Sequence, residues 1–395
     1  MKFKTYTMED ALETIIDYRG KTPKKSDSGI PTLSAKSVKN NHIDYSLCYY
    51  ISPDEYKRFI VRGFPKIGDV LLTTEAPMGV VARLDRDDIA VAQRLLTLRG
   101  KENVLDNEYL LYFLQSSSGQ SLLKARETGT TVTGIKQAEF RKIQINVPEI
   151  SIQKKIGRFL RALDEKIEIN SKINENLYIQ AQAIKKQWVT TNEDGYQLLP
   201  LADVATINPD TYSIKEAWMY VNYLDTSSIA NGVITDIQRI VPSNEKLPSR
   251  ARRKVAAGDV LFSTVRPNQN HFGIISDPLP NMLVSTGFAV IRSKNPLVCN
   301  ELIYLCITEM DFIKKMQQLA EQSTSTFPSI KPSDLGTCQI PCPKDEKSAA
   351  FIHTLKCLFN LIAINLHENN SLATMRETLL PKLMSGEIDV SVIQL

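Results

Sequence analysis

The stretch Lys66-Ile-Gly-Asp-Val-Leu-Leu-Thr-Thr74 returns 190 residues later as Ala256-Ala-Gly-Asp-Val-Leu-Phe-Ser-Thr264. Two further pairs follow in the same order, each 195 residues apart: Thr130-Thr-Val-Thr-Gly-Ile-Lys136 with Ser325-Thr-Phe-Pro-Ser-Ile-Lys331, and Ile143-Gln-Ile-Asn-Val-Pro148 with Cys338-Gln-Ile-Pro-Cys-Pro343. A repeat of about half the chain indicates a tandem duplication, because solenoid proteins repeat every 20–50 residues or so. We therefore expect two similar domains.

Composition places the chain among folded soluble proteins. Its 395 residues are 43% hydrophobic and 23% charged, which excludes a collagen-like or wholly disordered protein. The net charge of +4 permits a nucleic-acid partner without showing one. No apolar run approaches the roughly 18 residues that span a bilayer, and no signal segment is evident, so we expect a cytoplasmic protein. Its six cysteines form no CxxC pair, which favours reduced thiols and no metal site.

The last part of each copy carries apolar residues and asparagines at spacings of four and three. This average of 3.5 residues is the period of a coiled-coil seam. An amphipathic helix that covers a globular domain is the alternative, but the length and strict spacing favour a partner helix. The predicted seam residues are Ile156, Leu160, Leu163, Ile167, Asn170, Asn174, Leu177, Ile184, Phe351, Leu355, Leu358, Ile362, Asn365, Asn369, Leu372 and Leu379.

These patterns predict an α+β fold with pseudo-twofold symmetry. Two tandem mixed α/β domains, residues 1–148 and 191–343, are expected to be separated by an antiparallel coiled coil of two long helices. The helices should cover residues 149–190 and 344–385, and residues 386–395 form a tail. An antiparallel pairing would place Asn170 opposite Asn369, and Asn174 opposite Asn365. In the domains, short strands are expected within residues 69–74, 89–92, 95–98, 260–263 and 288–291, and helices near Glu108 and Glu301.

Motifs for catalysis are weak in this sequence. Gly20-Lys-Thr22 lacks the first glycine of a phosphate-binding loop, because Ile15 stands in its place. Asn208-Pro-Asp-Thr211 lacks the second proline and the aromatic residue of an amino-methyltransferase motif. Pro53-Asp-Glu-Tyr-Lys57 fuses carboxylates that a nuclease site would bring from separate strands. We therefore expect a chain without catalytic residues.

Basic residues recur at the same point of both copies. Lys57, Arg58, Arg62 and Lys66 precede the first Gly-Asp-Val-Leu, and Arg250, Arg252, Arg253 and Lys254 precede the second. A solvated face is the alternative for any single cluster, but the repeated placement favours contact with DNA phosphates.

A loop that follows the second cluster carries residues suited to base recognition. Arg266, Asn268, Gln269 and Asn270 can pair with guanine or adenine edges. Its counterpart, Glu75-Ala-Pro-Met-Gly79, has different chemistry, so the two domains are expected to read different sequences.

Over its whole length the chain resembles the specificity subunits of type I restriction-modification systems. The resemblance rests on the order and duplication of the motifs above, and on Leu379-Leu-Pro-Lys-Leu-Met-Ser-Gly-Glu-Ile388, which is similar to the end of such subunits. The first copy departs at Ile184-Lys-Lys-Gln-Trp188, so the two helix ends need not bind partners identically.

The resemblance implies a non-catalytic subunit in which each target-recognition domain reads half of a bipartite, asymmetric site in double-stranded DNA. The coiled coil would set the spacing and dock two modification subunits, which are adenine-N6 methyltransferases that bind S-adenosylmethionine. Restriction/translocase subunits would use ATP and Mg²⁺, and this chain would bind no cofactor itself. Ile169, Ile179, Leu361 and Ile364 would line the docking surface or broaden the helix core. Two other classes stay open: a self-contained methyltransferase, and a stand-alone coiled-coil DNA-binding regulator or adaptor with no methyltransferase partner.

Overall fold

The computed structural model describes residues 2–129, 133–323 and 327–391. It divides into two compact units, Met1–Glu168 with Asn369–Leu395, and Ile169–Glu368. Two long helices, Ile150–Thr191 and Ala349–Ser385, each contribute to both units. The compact units thus divide the helices, which the sequence pattern predicts as separate segments.

The first unit is built on two four-stranded sheets, with strand orders β10-β4-β7-β3 and β2-β11-β8-β9, and two two-stranded pairs, β1-β12 and β5-β6. The strands are β1 (Phe3–Thr7), β2 (Leu12–Asp17), β3 (Lys25–Ser26), β4 (Ile30–Leu33), β5 (Val38–Lys39), β6 (His42–Ile43), β7 (Tyr49–Ile51), β8 (Val70–Thr73), β9 (Val81–Arg83), β10 (Ala90–Val91), β11 (Leu95–Gly100) and β12 (Gln144–Pro148). The helices are α1 (Met8–Ala11), α2 (Pro53–Phe59), α3 (Asn107–Gln115), α4 (Ser117–Lys124), α5 (Gln137–Arg141) and the start of α6 (Ile150–Thr191).

The second unit has sheets with strand orders β14-β23-β20-β21 and β18-β15-β22-β19, and the pairs β13-β24 and β16-β17. Its strands are β13 (Tyr196–Pro200), β14 (Ala205–Ile207), β15 (Val221–Leu224), β16 (Ile229–Ala230), β17 (Val233–Ile234), β18 (Gln238–Ile240), β19 (Ala251–Lys254), β20 (Asp259–Ser263), β21 (Phe272–Ile275), β22 (Met282–Ser285), β23 (Phe288–Ser293) and β24 (Gln339–Pro343). Its helices, besides the end of α6, are α7 (Leu201–Val204), α8 (Asn300–Ile307), α9 (Met310–Glu321), α10 (Pro332–Leu335) and the start of α11 (Ala349–Ser385).

The duplication in the sequence is a duplication of fold. The order β2-β11-β8-β9 in the first unit corresponds strand for strand to β14-β23-β20-β21 in the second, and all neighbours in both sheets are antiparallel. In each unit the helix that follows the last of these strands in the chain, α3 after β11 or α8 after β23, lies in the core. The predicted class, two tandem mixed α/β domains each followed by a long helix, is confirmed.

The repeated Gly-Asp forms the turn that leads into β8 and β20. Gly68 and Gly258 have φ values of 89° and 85°, which glycine adopts readily because it has no Cβ. In the first unit the buried Asp69 accepts the Lys66 N–H at 2.8 Å and two hydrogen bonds from Arg99 at 2.8 and 2.7 Å. These hydrogen bonds raise the pKa of the Arg99 guanidinium.

The second unit repeats this arrangement around a buried aspartate. Asp259 accepts the Ala256 N–H at 2.7 Å and two hydrogen bonds from Arg292 at 2.7 and 2.8 Å. The Gly-Asp pair therefore fixes the start of the central strand through a two-pronged buried ion pair in both copies.

Within each unit, α6 and α11 are in contact. In the first unit, Asp164 of α6 pairs with Arg376 of α11 at 2.5 Å and accepts the Tyr112 hydroxyl at 2.6 Å. Burial, together with the Asp164 carboxylate, raises the pKa of Tyr112, so its hydroxyl stays a donor.

In the second unit, Trp188 of α6 stacks on Phe351 of α11, with ring centroids 4.3 Å apart, and Asn365 donates to Asn174 at 2.8 Å. Late residues of α6 thus meet early residues of α11, so this part of the pair is antiparallel. The Asn174–Asn365 contact is one of the two predicted from the sequence and is confirmed, whereas the contact of Asn170 with Asn369 stays a prediction. Asn170 is buried and donates to Glu368 at 2.7 Å.

The ends of the predicted seam pack on globular cores. Ile156 and Leu160 belong to the core of the first unit, and Phe351 and Leu355 belong to the core of the second. At these ends the helices cover a globular domain, which is the alternative to a coiled coil given above. Ile184, Leu358 and Leu379 are partly buried against the same cores. The other predicted positions are buried or half-buried: Leu163, Ile167, Asn170, Asn174, Leu177, Ile362, Asn365, Asn369 and Leu372. A continuous seam along both helices stays a prediction.

The helix α11 is apolar enough, by length and composition, to cross a membrane. An 18-residue window within Glu346–Ser385 has a mean hydropathy of 1.5, which corrects the expectation that no run would qualify. A single such helix is weak evidence, because a helix of a globular protein passes the same test. Phe351 and Leu355 near one end of α11 are core residues of the second unit, and Leu383 and Met384 near the other end are core residues of the first.

Candidate nucleic-acid interface

In the first unit, the chain leaves β8 through an exposed turn at residues 75–78, called here the first turn. Ala76 has a φ of 54°, in the left-handed region that non-glycine residues rarely adopt. Two contacts anchor the turn. The Thr74 carbonyl accepts the Ile135 N–H at 2.9 Å, and the backbone of Glu75 forms an isolated antiparallel β-bridge with Gly134. A Cβ on Gly134 would lie 2.6 Å from the Thr74 oxygen, so this close approach requires glycine.

In the second unit, the corresponding turn covers residues 265–270 and is called the second turn. It contains a short 3-10 helix, Pro267–Gln269, flanked by Arg266 and Asn270 with φ values of 47° and 57°. The Thr264 carbonyl accepts the Ile330 N–H, and the Arg266 N–H donates to Pro328, each at 2.9 Å. Backbone strain of this kind collects at functional sites.

The structure brings the four predicted base-reading residues together on the second turn. Arg266, Asn268 and Gln269 are exposed and Asn270 is half-buried. The Arg266 guanidinium lies 4.8 Å from the centroid of the Phe327 ring, which restricts its position. Each turn is anchored by a later polar segment, which contains Ile135 in the first unit and Ile330 in the second. In these segments Thr130, Thr131, Val132 and residues 324–326 lie outside the described residues.

The first basic cluster is largely solvent-facing. Lys57 and Arg58 are exposed in the last turn of α2, and the Lys66 side chain is exposed just before β8. Arg62 is exposed as a residue, but its guanidinium donates to the carbonyl oxygens of Asp17 at 2.7 Å and Arg19 at 3.2 Å. Lys57, Arg58 and Lys66 therefore supply the charge that could meet a phosphate backbone.

The second basic cluster is partly internal. Arg250 is exposed, whereas Arg252, Arg253 and Lys254 lie half-buried on β19. Lys254 pairs with Glu216 at 2.6 Å and lies 5.3 Å from the centroid of the Trp218 ring. Side chains alternate between the faces of a strand, so a run of three basic residues on β19 cannot present all its charges to one surface.

Two features of the first turn are not predicted by the sequence pattern. An open cleft of about 600 Å³ lies beside it, lined by Ala76, Pro77, Met78, Gln120, Ser121, Lys124, Glu127 and Thr133. Arg94, between β10 and β11, reaches the turn from another loop, and its Nε lies 2.8 Å from the Glu75 Oε1. Nothing in the sequence around residue 94 signals this contact, because it depends on a left-handed backbone (φ of 71°) at a non-glycine residue.

Each unit thus presents an anchored turn at the same place of the duplicated sheet, with Glu75 and Arg94 at the first turn and Arg266, Asn268 and Gln269 exposed on the second. Such a surface is suited to binding a polyanion and to hydrogen bonding with base edges. Among the described residues, no group of three or more His, Cys, Asp or Glu side chains is placed to hold a metal ion.

Part of the chain matches a known family model. Residues 2–178 match the model described as the type I restriction modification DNA specificity domain. The match covers the first unit's globular part and most of α6.

Similar proteins cover nearly the whole chain. The MjaIX type I restriction enzyme specificity subunit of Methanocaldococcus jannaschii is 25% identical over 390 residues, with 91% of this chain and 87% of that protein covered. The MjaVIII specificity subunit of the same organism is 25% identical over 372 residues, with 86% of each covered. Among solved structures, the S subunit of a type I restriction-modification system from M. genitalium shares the fold, with a TM-score of 0.58 and 16% identity over 97% of this chain and 96% of that one.

Proposed function

We propose that the chain is a type I restriction-modification specificity subunit that recognises DNA sequences, and that each of its two units reads one half of a bipartite, asymmetric site. The observation that carries the proposal is the pair of turns at residues 75–78 and 265–270. Both leave the same strand of the duplicated sheet and contain a left-handed residue at the same position, Ala76 or Arg266, but they carry different side chains. A common scaffold with different reading groups suits two different half-sites.

The exposed basic residues would position each unit on the DNA backbone. Lys57, Arg58 and Lys66 in the first unit, and Arg250 in the second, are exposed. The Arg250 carbonyl accepts the Thr286 N–H at 2.8 Å, one residue before the Gly287 that binds Thr264 at the base of the second turn. Phosphate contacts of this kind fix orientation and give affinity that depends on salt. The partly internal Arg252, Arg253 and Lys254 would act mainly by holding β19 and its neighbours in place.

The long helices would set the spacing of the half-sites and dock the modification subunits. Four apolar side chains of the helices are exposed in the second unit: Ile169 (53%), Ile179 (53%), Leu361 (48%) and Ile364 (54%). Such exposure favours a partner surface over the alternative that they broaden the helix core. In this proposal, adenine methylation with S-adenosylmethionine and the ATP- and Mg²⁺-dependent steps belong to partner subunits, and the assembly works on cytoplasmic DNA.

Methylome sequencing of cells with and without the gene tests the proposal. We expect loss of N6-methyladenine at a single bipartite motif, with two different half-sites and a fixed gap, when the gene is deleted. An unchanged methylome, together with specific DNA binding by a chain that purifies without a methyltransferase, would support the stand-alone regulator instead. DNA methylation by the purified chain alone would support a self-contained enzyme.

Removing exposed positive charge from α2 should weaken binding without changing its sequence preference. We expect the double variant Lys57→Ala/Arg58→Ala to reduce the slope of log K against log salt by about 1.8, since each phosphate contact contributes about 0.9. Binding of the co-purified complex to its own site is measured between about 50 and 200 mM salt. Lys347→Ala, at a residue whose side chain is 92% exposed far along the chain from either turn, serves as the control and should leave the slope unchanged.

A further inference from the structure

We propose that Arg94 and Glu75 together read a guanine–cytosine base pair in the half-site of the first unit; the inference rests on the proposed function. The two side chains form an ion pair at the first turn, with Arg94 Nε 2.8 Å from Glu75 Oε1. Both remain accessible, since the side chains are 53% and 30% exposed. The pair is part of the reading surface because Glu75 is itself a residue of the turn.

The backbone of Arg94 is built into the base of the first turn. Its carbonyl accepts the Thr74 N–H at 2.9 Å, one residue before the turn begins. Its φ of 71° is left-handed, a strained conformation for an arginine. An exposed ion pair stabilises the folded state by less free energy than a strained backbone conformation costs. The contact with Glu75 therefore does not by itself account for the left-handed conformation of Arg94. Strain of this kind is expected where a side chain must be held in position for a ligand.

In the second unit, other residues occupy the positions that correspond to Arg94 and Glu75. There the Thr264 N–H donates to Gly287 at 2.8 Å, so a glycine takes the place of Arg94. Val265 takes the place of Glu75, and the arginine is supplied by the turn itself, as Arg266. Each unit therefore has an exposed arginine with a left-handed backbone at its turn. In the first unit this is Arg94, from the loop between β10 and β11, and in the second it is Arg266, from the turn itself.

The chemistry of the pair matches one base pair in particular. In the major groove guanine presents two acceptors, N7 and O6, and cytosine presents the N4 amino donor. Arginine is the usual partner of the guanine edge, and a carboxylate accepts from cytosine N4. An arginine that remains paired with Glu75 also offsets the repulsion between that carboxylate and the phosphates. A donor fork beside an acceptor is thus complementary to a guanine–cytosine pair.

Binding of the complete complex to single-substitution duplexes tests this assignment. The full chain is co-purified with its methyltransferase subunits, and the duplexes replace each base pair of both half-sites in turn. We expect Arg94→Ala to weaken binding to the unsubstituted site about 10- to 100-fold, and to remove the preference at one guanine–cytosine position of one half-site only. Glu75→Gln should weaken the preference at that same position.

Two further variants separate base reading from charge and folding. Arg94→Lys keeps the charge but lacks the planar fork, so it should retain the salt dependence and lose the base preference. Arg94→Gly relieves the left-handed strain, and should fold normally and lose the preference too. Arg86→Ala, at an exposed arginine of the same unit that pairs with Asp88, is the matched control and should behave as the unmodified chain.

The outcomes distinguish this inference from the proposed function. If Arg94→Ala weakens binding to every duplex equally, or leaves the preference at every position intact, the assignment of Arg94 is wrong while the bipartite site stands. If the unmodified complex shows no bipartite preference at all, the proposed function itself fails.

Discussion

Replacing Arg99 by leucine is expected to lower the free energy of unfolding of the first unit by about 3–5 kcal/mol, because it leaves a buried carboxylate without its partner. Asp69 is 1% exposed and accepts two hydrogen bonds from Arg99, whose side chain is 15% exposed. Hydrogen exchange of the β8 amides measures the effect in this unit alone. Their protection should fall by about 100- to 4,000-fold, the ratio that corresponds to this loss.

A second substitution shows whether the loss is electrostatic. Adding Asp69→Asn to Arg99→Leu removes the stranded charge but keeps an acceptor for the Lys66 N–H, so at least half of the stability should return. If the double variant is as unstable as Arg99→Leu, the loss comes from packing of the arginine stem and the electrostatic explanation is wrong. The exposed pair of Arg86 and Asp88 provides the comparison, and Arg86→Leu should change stability by less than about 1 kcal/mol.

The repeat made the fold class predictable from the sequence. The repeated Gly-Asp pairs at residues 68–69 and 258–259 are easy to recognise in the sequence. Few other residue pairs can provide both a left-handed backbone and a buried hydrogen-bond acceptor at the start of a strand. The strands that follow are continuous apolar runs, and the helices of both copies begin at similar distances from them. These features depend on local chemistry, which a sequence displays directly.

Two features depend on tertiary contacts and could not be predicted in the same way. The spacing of four and three residues says that one stripe of a helix is buried, but it does not say against what. The spacing therefore predicts Ile156 as a seam residue, although it lies in the core of the first unit. Arg94 likewise is one of 48 basic residues in the sequence, and only its backbone conformation and its contact with Glu75 single it out.

Deleting one heptad from each long helix should shorten the gap between the half-sites and leave both half-sites unchanged, if the helices set the spacing. Residues 171–177 and 362–368 are suitable because the hydrogen bond between Asn174 and Asn365 places them opposite each other in the second unit. Seven residues at 1.5 Å each remove about 10 Å, which corresponds to about three base pairs at 3.4 Å each. A whole heptad also preserves the phase of the apolar stripe, so the remaining helix contacts can form again.

Methylome sequencing of cells that carry the shortened chain gives the new gap directly. The full-length variant Asn174→Leu/Asn365→Leu controls for loss of the asparagine contact, and its gap should equal that of the unmodified chain. A shortened chain that methylates at the original gap would show that the helices do not set the spacing.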